Sequence, residues 1–269
     1  MIDQDARVGY KSKPDSFFGY KTEFTLTTDE RIITAVRVYD GAYVDGSGTK
    51  ELCELTIGAG IDVKEFYGDK AFFRKPILDL LKEHQVQAYI PVSESVYRID
   101  EDLYKYNKDS DQWLCDYGNV IIKKKKKTDK KGYETISYYF EKELCRNCPN
   151  RSECIKKGRA IGKILTISIN TPEFYEYSQR TKTQEFKEKY KNRACHEWKN
   201  AEIKRFHGMS RAKGYGLRSM SIQAKLTALA VNLKRIAALV SSLNIKIFHL
   251  MLEIRWKKQF YWNELNKVA

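Results

Sequence analysis

The sequence lacks the features of a secreted or membrane-spanning protein. Residues 1–5 include two acids, Asp3 and Asp5, where a signal peptide would have a basic segment followed by an apolar one. Near the end of the chain, charged residues such as Lys246 and Glu253 interrupt the apolar stretch 245–256. This stretch is also shorter than the ~20 apolar residues that a membrane span needs. We therefore expect a soluble, cytoplasmic protein without a membrane partner.

Acidic residues are scarce relative to basic ones. The 269 residues include 35 Asp and Glu against 49 Lys and Arg, which gives a formal net charge of +14. The hydrophobic content of 42% is sufficient to bury a core, which excludes wholesale disorder. A strongly basic globular protein is better suited to a polyanion, nucleic acid above all, than to a small anionic metabolite.

Internal repeats are also absent, and the pattern of residues predicts an α/β fold. Ser16 to Thr27 and Arg31 to Tyr39 are rich in aromatic and β-branched residues and flank a short polar link, which predicts a β-hairpin. Helical and strand patterns then alternate to residue 92, so we expect a mixed sheet flanked by helices. A helix is predicted from Glu173 through Phe206, and an amphipathic helix from Ser219 to Leu243.

These changes of pattern divide the chain into four segments. Residues 1–92 begin the α/β domain, and residues 93–162 interrupt it with an insertion rich in cysteine and lysine. Residues 163–243 complete the domain with helices, and residues 244–269 form a C-terminal tail.

Four of the six cysteines fall inside the predicted insertion. Cys145, Cys148 and Cys154 are spaced Cys-x2-Cys-x5-Cys, and Cys115 lies upstream. Four thiols are the number that a tetrahedral structural Zn²⁺ site uses. The spacing is looser than that of a standard zinc finger, so zinc ligation and free thiols both remain open, with His84 as an alternative ligand.

The insertion also contains a run of lysines. The run consists of Lys123, Lys124, Lys125, Lys126 and Lys127. A lysine run taken alone is most often a solvated hairpin. In this basic protein we interpret the run as a contact to DNA phosphates, which weakens with salt and carries no base information.

A group of four residues near position 197 has an unusual chemistry for a helix. Tyr190, Arg193, Glu197 and Lys204 lie at relative positions 0, 3, 7 and 14, which at ~100° per residue predicts one narrow face of a single helix. A solvated face with a pair between Arg193 and Glu197 is the simpler interpretation. The combination of an aromatic ring, two cations and an acid points instead to a functional surface.

The spacing Tyr-x2-Arg-x3-Glu-x6-Lys resembles the signature of DDE transposases from bacterial insertion sequences. Further segments resemble landmarks of that family in the same order. These are Asp3-Gln4-Asp5-Ala6-Arg7-Val8-Gly9, Phe18-Gly19-Tyr20-Lys21-Thr22, Tyr67-Gly68-Asp69-Lys70-Ala71, Phe206-His207-Gly208 and Val231-Asn232-Leu233-Lys234-Arg235. The resemblance covers roughly residues 1 to 240.

The resemblance implies a ribonuclease-H-like fold and an enzyme that cleaves DNA and transfers the cut strand. Asp69 and Glu197 would be catalytic acids that bind Mg²⁺ or Mn²⁺, because phosphodiester displacement by two metal ions requires carboxylates. Tyr190, Arg193 and Lys204 would bind DNA near the metals. The implied partners are double-stranded insertion-sequence ends, target DNA and a second copy in a dimer on DNA, which places the protein at the nucleoid.

The first acid of the family has no equivalent strand in this sequence. It is either missing or replaced by Asp3 or Asp5, whose simpler interpretation is as exposed acids in a polar connection. A truncated copy of the enzyme is therefore one alternative, as is a non-catalytic DNA-binding remnant with a zinc-stabilised insertion. A nuclease of the same fold without strand transfer is a third.

Overall fold

The computed structural model describes residues 3–10, 14–155 and 162–268. The chain forms two compact units, one of Met1–Glu65 with Lys191–Ala269 and the other of Phe66–Tyr190. We call them the discontinuous unit and the central unit. Each unit contains its own hydrophobic core.

The described residues form ten strands and eight α-helices. The strands are β1 (Arg7–Tyr10), β2 (Ser16–Leu26), β3 (Ile33–Asp40), β4 (Glu65–Tyr67), β5 (Gln87–Tyr89), β6 (Tyr104–Asn107), β7 (Gln112–Cys115), β8 (Ile121–Thr128), β9 (Glu134–Phe140) and β10 (Ile164–Ser168). The helices are α1 (Thr49–Gly58), α2 (Lys75–Glu83), α3 (Lys142–Arg146), α4 (Arg151–Cys154), α5 (Thr171–Thr181), α6 (Gln184–Tyr190), α7 (Ala194–Phe206) and α8 (Gly216–Val268). Short 3-10 turns occupy Lys70–Phe72 and Lys191–Arg193.

An antiparallel sheet in the order β1-β2-β3 is the base of the discontinuous unit. The predicted hairpin is confirmed, since β2 pairs with β3 and Phe24 lies opposite Val36. The polar link between them closes with a hydrogen bond from the Thr27 amide to the Ile32 carbonyl (2.9 Å). Arg31 in this link has a positive φ of 57°, a conformation uncommon for a residue with a side chain.

Helix α8 packs against this sheet through apolar and polar contacts. Val231 is fully buried in a core with Phe24, Ile33 and Ile203. Beside it, the Asn232 amide forms two 2.8 Å hydrogen bonds to the backbone of Ile33, accepting from its N–H and donating to its carbonyl. The amide side chain thus satisfies backbone groups at the start of β3, which would be costly to bury unpaired.

The central unit contains three small sheets. Strands β4 and β5 pair, β6 pairs with β7, and the third sheet has the order β10-β9-β8. Trp113 and Tyr138 are fully buried and form a core with Phe140 and Ile167. All described residues of the predicted insertion belong to this unit.

These elements confirm an α/β fold. The expected mixed sheet is not what the described residues show, because their strands are distributed over four separate sheets. The ribonuclease-H-like arrangement therefore stays a prediction.

The single helix predicted from Glu173 through Phe206 is wrong. Helix α5 ends at Thr181, and the Thr183 hydroxyl accepts a hydrogen bond from the Phe186 amide (3.2 Å), so a new helix begins with a threonine cap. A second interruption is the 3-10 turn Lys191–Arg193.

Helix α8 is longer than the sequence predicted and continues through the expected C-terminal tail. Its segment Gly216–Phe248 is long and apolar enough to cross a membrane, judged by length and composition alone. In its most apolar window 11% of the residues are buried. One such helix is weak evidence for a membrane span, because the core helix of a soluble protein can have the same length and composition.

Candidate functional site

Asp69 lies just after a strand in the central unit, as the sequence predicted. Strand β4 ends at Tyr67, and the Gly68 amide donates to the Tyr89 carbonyl (3.2 Å), which extends the pairing with β5 by one bond. The half-buried Asp69 then caps a 3-10 turn, because its Oδ1 accepts a hydrogen bond from the Ala71 amide (2.9 Å). The backbone thereby fixes the carboxylate at the end of the strand.

Glu197 lies in the first turn of α7 in the discontinuous unit. Its side chain is 60% exposed, and its Oε1 pairs with Arg193 Nη1 at 2.5 Å. Lys204 follows seven residues later, at about 340° around the axis and about 10 Å along it. Glu197 and Lys204 therefore share one exposed face of α7.

Tyr190 and Arg193 are not on a continuous helix with Glu197, so the single-helix geometry predicted for these four residues is wrong. Tyr190 ends α6 in the central unit, where its ring stacks on Phe186 with centroids 6.1 Å apart. Arg193 belongs to the intervening 3-10 turn, which winds with about 3.0 residues per turn and changes the angular phase. The i,i+4 pair of Arg193 with Glu197 survives this change.

The two acids considered as replacements for the first catalytic acid are bound to the start of α8. Asp3 Oδ2 accepts hydrogen bonds from the Tyr20 hydroxyl (2.5 Å) and the Gly216 amide (3.2 Å). Asp5 Oδ2 accepts from the Leu217 amide (2.9 Å). The Asp-x-Asp pair therefore satisfies amides that a helix N-terminus leaves without an intrahelical partner.

The contact between Asp3 and Tyr20 shifts the pKa values of the two side chains in opposite directions. The hydrogen bond from the Tyr20 hydroxyl lowers the pKa of Asp3, because it stabilises the ionised carboxylate. Burial, followed by the hydrogen bond to Asp3, raises the pKa of Tyr20 to about 12. Tyr20 thus remains a hydrogen-bond donor, and the cap is a stable arrangement of a carboxylate and a phenol.

The four cysteines of the insertion line one pocket in the central unit. The pocket has a volume of about 240 Å³, and its lining includes Cys115, Cys145, Cys148 and Cys154. In the described ranges, however, no three His, Cys, Asp or Glu side chains are arranged to hold a metal ion. The structure therefore brings the thiols to one place without closing a coordination sphere.

One of these thiols accepts two hydrogen bonds, one from a side-chain amide and one from a backbone amide. Cys145 Sγ accepts hydrogen bonds from Asn119 Nδ2 (3.1 Å) and from the Lys163 amide (3.4 Å). Such donors are typical partners of a thiolate ligand. Burial raises the pKa of the Cys115 thiol, which opposes ionisation while no cation is present. His84 follows the last residue of α2 and is not among the residues that line this pocket.

The lysine run forms most of β8, the edge strand of its sheet. All five lysines are exposed. Two of them have acidic partners, since Lys124 pairs with Asp111 at 2.8 Å and Lys126 with Glu134 at 2.6 Å. The run therefore lies in a hairpin of β8 and β9, which is the simpler interpretation of a lysine run, and its cations are not equivalent. Contact of these lysines with DNA stays a prediction.

Sequence reasoning missed the local roles of several matched landmarks. The Val-Asn-Leu-Lys-Arg segment looks like a signature, yet in the structure Asn232 binds the backbone of Ile33, Lys234 pairs with Glu202 at 3.1 Å and Arg235 donates to the Glu30 carbonyl. These side chains fasten α8 to neighbouring elements. Their partners are distant in sequence, so no local signal identifies them.

Comparison with known proteins supports a transposase of the DDE class. Residues 114–237 match the family model described as a transposase DDE domain. The match includes β8, the four cysteines and Glu197, whereas Asp69 lies outside it. No curated protein and no solved structure matches the chain. This part of the chain is therefore similar to a transposase DDE domain.

The roles of Asp5 as a helix cap and as a catalytic acid can be separated by substitution. We expect Asp5→Asn to keep the wild-type free energy of unfolding, because Asn caps helices about as well as Asp, and Asp5→Ala to lose about 1 kcal/mol. Urea unfolding followed by circular dichroism measures both. If Asp5→Asn has wild-type stability but loses a metal-dependent DNA cleavage that the wild type shows, Asp5 is the first acid and not only a cap.

Proposed function

We propose that this chain carries the catalytic core of an insertion-sequence transposase, which cleaves DNA at the ends of the element and transfers the cut strand in a metal-dependent reaction. The observation that carries the proposal is the family match over residues 114–237, which contains Glu197 on an exposed helical face with Lys204. The Tyr-Arg-Glu-Lys signature and the bacterial origin that it implies are part of the same proposal.

Asp69 and Glu197 are the carboxylates that would hold Mg²⁺ or Mn²⁺. Their chemistry fits, because hard divalent ions prefer carboxylate oxygens and need only a few protein ligands. When bound, such an ion activates the attacking water or 3′-hydroxyl and stabilises the leaving oxygen. The capped turn orients Asp69, and the pair with Arg193 orients Glu197.

Cations beside Glu197 supply the contacts to DNA. Lys204 shares its face of α7, and Arg193 can bind a phosphate through its planar fork once its pair with Glu197 is exchanged. Tyr190, whose ring is stacked on Phe186, is the aromatic group of the signature. The lysines of β8, in the central unit, provide a second set of cations for double-stranded transposon ends or target DNA.

The capping role of Asp3 and Asp5 favours a second candidate function. Both acids bind the start of α8. Of the three catalytic acids expected for the family, the proposal therefore identifies two, Asp69 and Glu197. A protein with a zinc-stabilised insertion that binds DNA without cleaving it is consistent with these assignments. The four-segment division of the chain and a ribonuclease-H-like catalytic domain belong to the main proposal.

We further propose that the cysteine pocket binds one structural Zn²⁺. The donor set fits, because four thiols line the same pocket and Cys145 already accepts two N–H donors. The short helices α3 and α4 carry Cys145 and Cys154. The metal would fasten these helices to β7, which ends at Cys115.

The dimer is supported by an apolar stripe on α8. Its members are spaced alternately three and four residues apart, and each is 46–60% exposed. They are Leu226, Leu229, Leu233, Ile236, Val240, Leu243, Ile247 and Leu250. A mean spacing of 3.5 residues sustained over four heptads is the pattern at which two helices pack as a coiled coil. We propose that this stripe pairs two copies of a soluble, nucleoid-associated protein.

Removal of either acid should separate cleavage from binding. We expect Asp69→Ala and Glu197→Ala each to abolish Mg²⁺- or Mn²⁺-dependent nicking and strand transfer on DNA that carries the sequence flanking this gene, while salt-sensitive DNA binding persists. Asp62→Ala and Glu54→Ala are the matched controls, because they remove exposed acids from the connection before β4 and from α1. Unchanged cleavage in either acid variant would overturn its assignment. DNA binding without cleavage by the wild type would favour the non-catalytic candidate.

Metal analysis tests the cysteine pocket. Protein purified without chelator should contain about one equivalent of zinc, and Cys148→Ser should lower both the zinc content and the melting temperature. Cys195→Ser is the control, because Cys195 is buried in the other unit. Less than half an equivalent of zinc in the wild type, or equal losses in both variants, would contradict the site.

Light scattering tests the stripe. We expect the wild type to have twice the 31.5 kDa mass of the chain, and Leu233→Glu combined with Val240→Glu to be monomeric, because two acids would be buried in the seam. Ala238→Glu combined with Ser241→Glu adds the same charge at exposed positions off the stripe and should stay dimeric. A monomeric wild type, with and without DNA, would rule out this interface.

A further inference from the structure

The lysine strand β8 has two chemically different faces. A β-bulge near the start of the strand determines which lysines lie on which face. Ile121 lies opposite Phe140, whereas Lys123 lies opposite the adjacent residue, Tyr139. The extra residue, Ile122, reverses the alternation of side chains, so that Ile121 can be buried while Lys123 points to the other side of the sheet. From there the strand alternates regularly, with Lys125 on the side of Lys123.

On one face of the strand, which we call the inner face, Lys124 and Lys126 form ion pairs within the protein. Lys124 pairs with Asp111 and lies over the ring of Tyr138, 5.7 Å from its centroid. Lys126 pairs with Glu134 at 2.6 Å. Both ammonium groups therefore already have a carboxylate partner, which would have to be exchanged before either could neutralise a phosphate.

The outer face combines unpaired cations with hydroxyl groups. The register places on it Lys123, Lys125 and Lys127 of β8, Tyr139, Ser137 and Thr135 of β9, and Ile164, Thr166 and Ser168 of β10. None of these nine residues is acidic. Within the described part of the chain, the three lysines have no ion-pair partner.

This outer face has the chemistry and the dimensions of a phosphate-binding surface. Lysine and hydroxyl side chains are the usual partners of phosphate oxygens in protein–DNA contacts. Lys123 and Lys127 are four residues apart on a strand, about 13 Å at ~3.3 Å per residue. That length corresponds to about four phosphates of one DNA strand at ~3.4 Å of helix axis each.

We propose that the backbone of double-stranded DNA binds to the outer face through Lys123, Lys125 and Lys127, and that Lys124 and Lys126 do not contact it. This inference rests on the proposed transposase function and narrows its basic surface to alternate lysines. Because the face offers charge and hydroxyl groups to phosphates, it holds DNA independently of sequence. Recognition of a terminal sequence then belongs to other residues.

Two double variants of identical net charge test this assignment. Lys125→Gln with Lys127→Gln removes two outer cations, and Lys124→Gln with Lys126→Gln removes the two paired ones. We expect the outer variant to bind a fluorescent duplex of random sequence about 10-fold or more weakly at 0.15 M salt, with a slope of log affinity against log salt that is smaller by about 2. The inner variant should change affinity less than about twofold.

Equal losses of affinity in the two variants would overturn the proposal, because total charge would then explain binding. A wild type that binds no duplex would overturn it as well. Thermal unfolding of each variant checks the fold, and if Lys124→Gln lowers the melting temperature, the single variants Lys126→Gln and Lys127→Gln repeat the comparison.

Cleavage assays on the same proteins distinguish this inference from the proposed function. Metal-dependent cleavage together with equal affinity losses would support the proposed transposase function and overturn the assignment of DNA binding to the outer face. A difference in affinity and salt slope between the variants without any cleavage would support the outer face and favour the non-catalytic candidate.

Discussion

The discontinuous unit depends on hydrogen bonds that fasten helix α8 to residues early in the chain. Asp3 and Asp5 satisfy amides at the start of the helix, and about four turns later Asn232 binds both backbone groups of Ile33. Between these points Val231 is fully buried. Polar contacts therefore set the position of the helix along the sheet, while apolar burial supplies most of the stabilisation. The same contacts occupy the acids that sequence reasoning had considered for catalysis.

Local patterns predicted the parts of the molecule whose causes are local. The hairpin of β2 and β3 follows from two runs of aromatic and β-branched residues, and the position of Asp69 follows from Gly68 after a short apolar strand. The break before α6 was missed, although Thr183 is a good cap, because helical periodicity on both sides hid it. A 3-10 turn at Lys191–Arg193 leaves no comparable signal, so the common face of four residues was predicted wrongly.

Contacts between distant residues could not be predicted from the sequence. Asp5 and Leu217 are more than two hundred positions apart, and neither the acid nor the helix start identifies the other. The cysteines are a partial exception, because thiol spacing is itself a signal, and all four do line one pocket. For the lysine run, composition revealed the charge. Only the register and the bulge at Ile122 reveal which lysines have acidic partners.

A net charge of +14 therefore does not measure the surface that is available to DNA. In β8, Asp111 and Glu134 neutralise two of five adjacent lysines, and on α7 Glu197 pairs with Arg193. What distinguishes a cation available for phosphate is the absence of a neighbouring carboxylate, and alternation along a strand can create that distinction between consecutive residues. We infer that acids and bases in this protein act in two ways. Paired groups fix the fold and orient the candidate acid Glu197, whereas the outer-face lysines, which have no ion-pair partner among the described residues, would attract a polyanion.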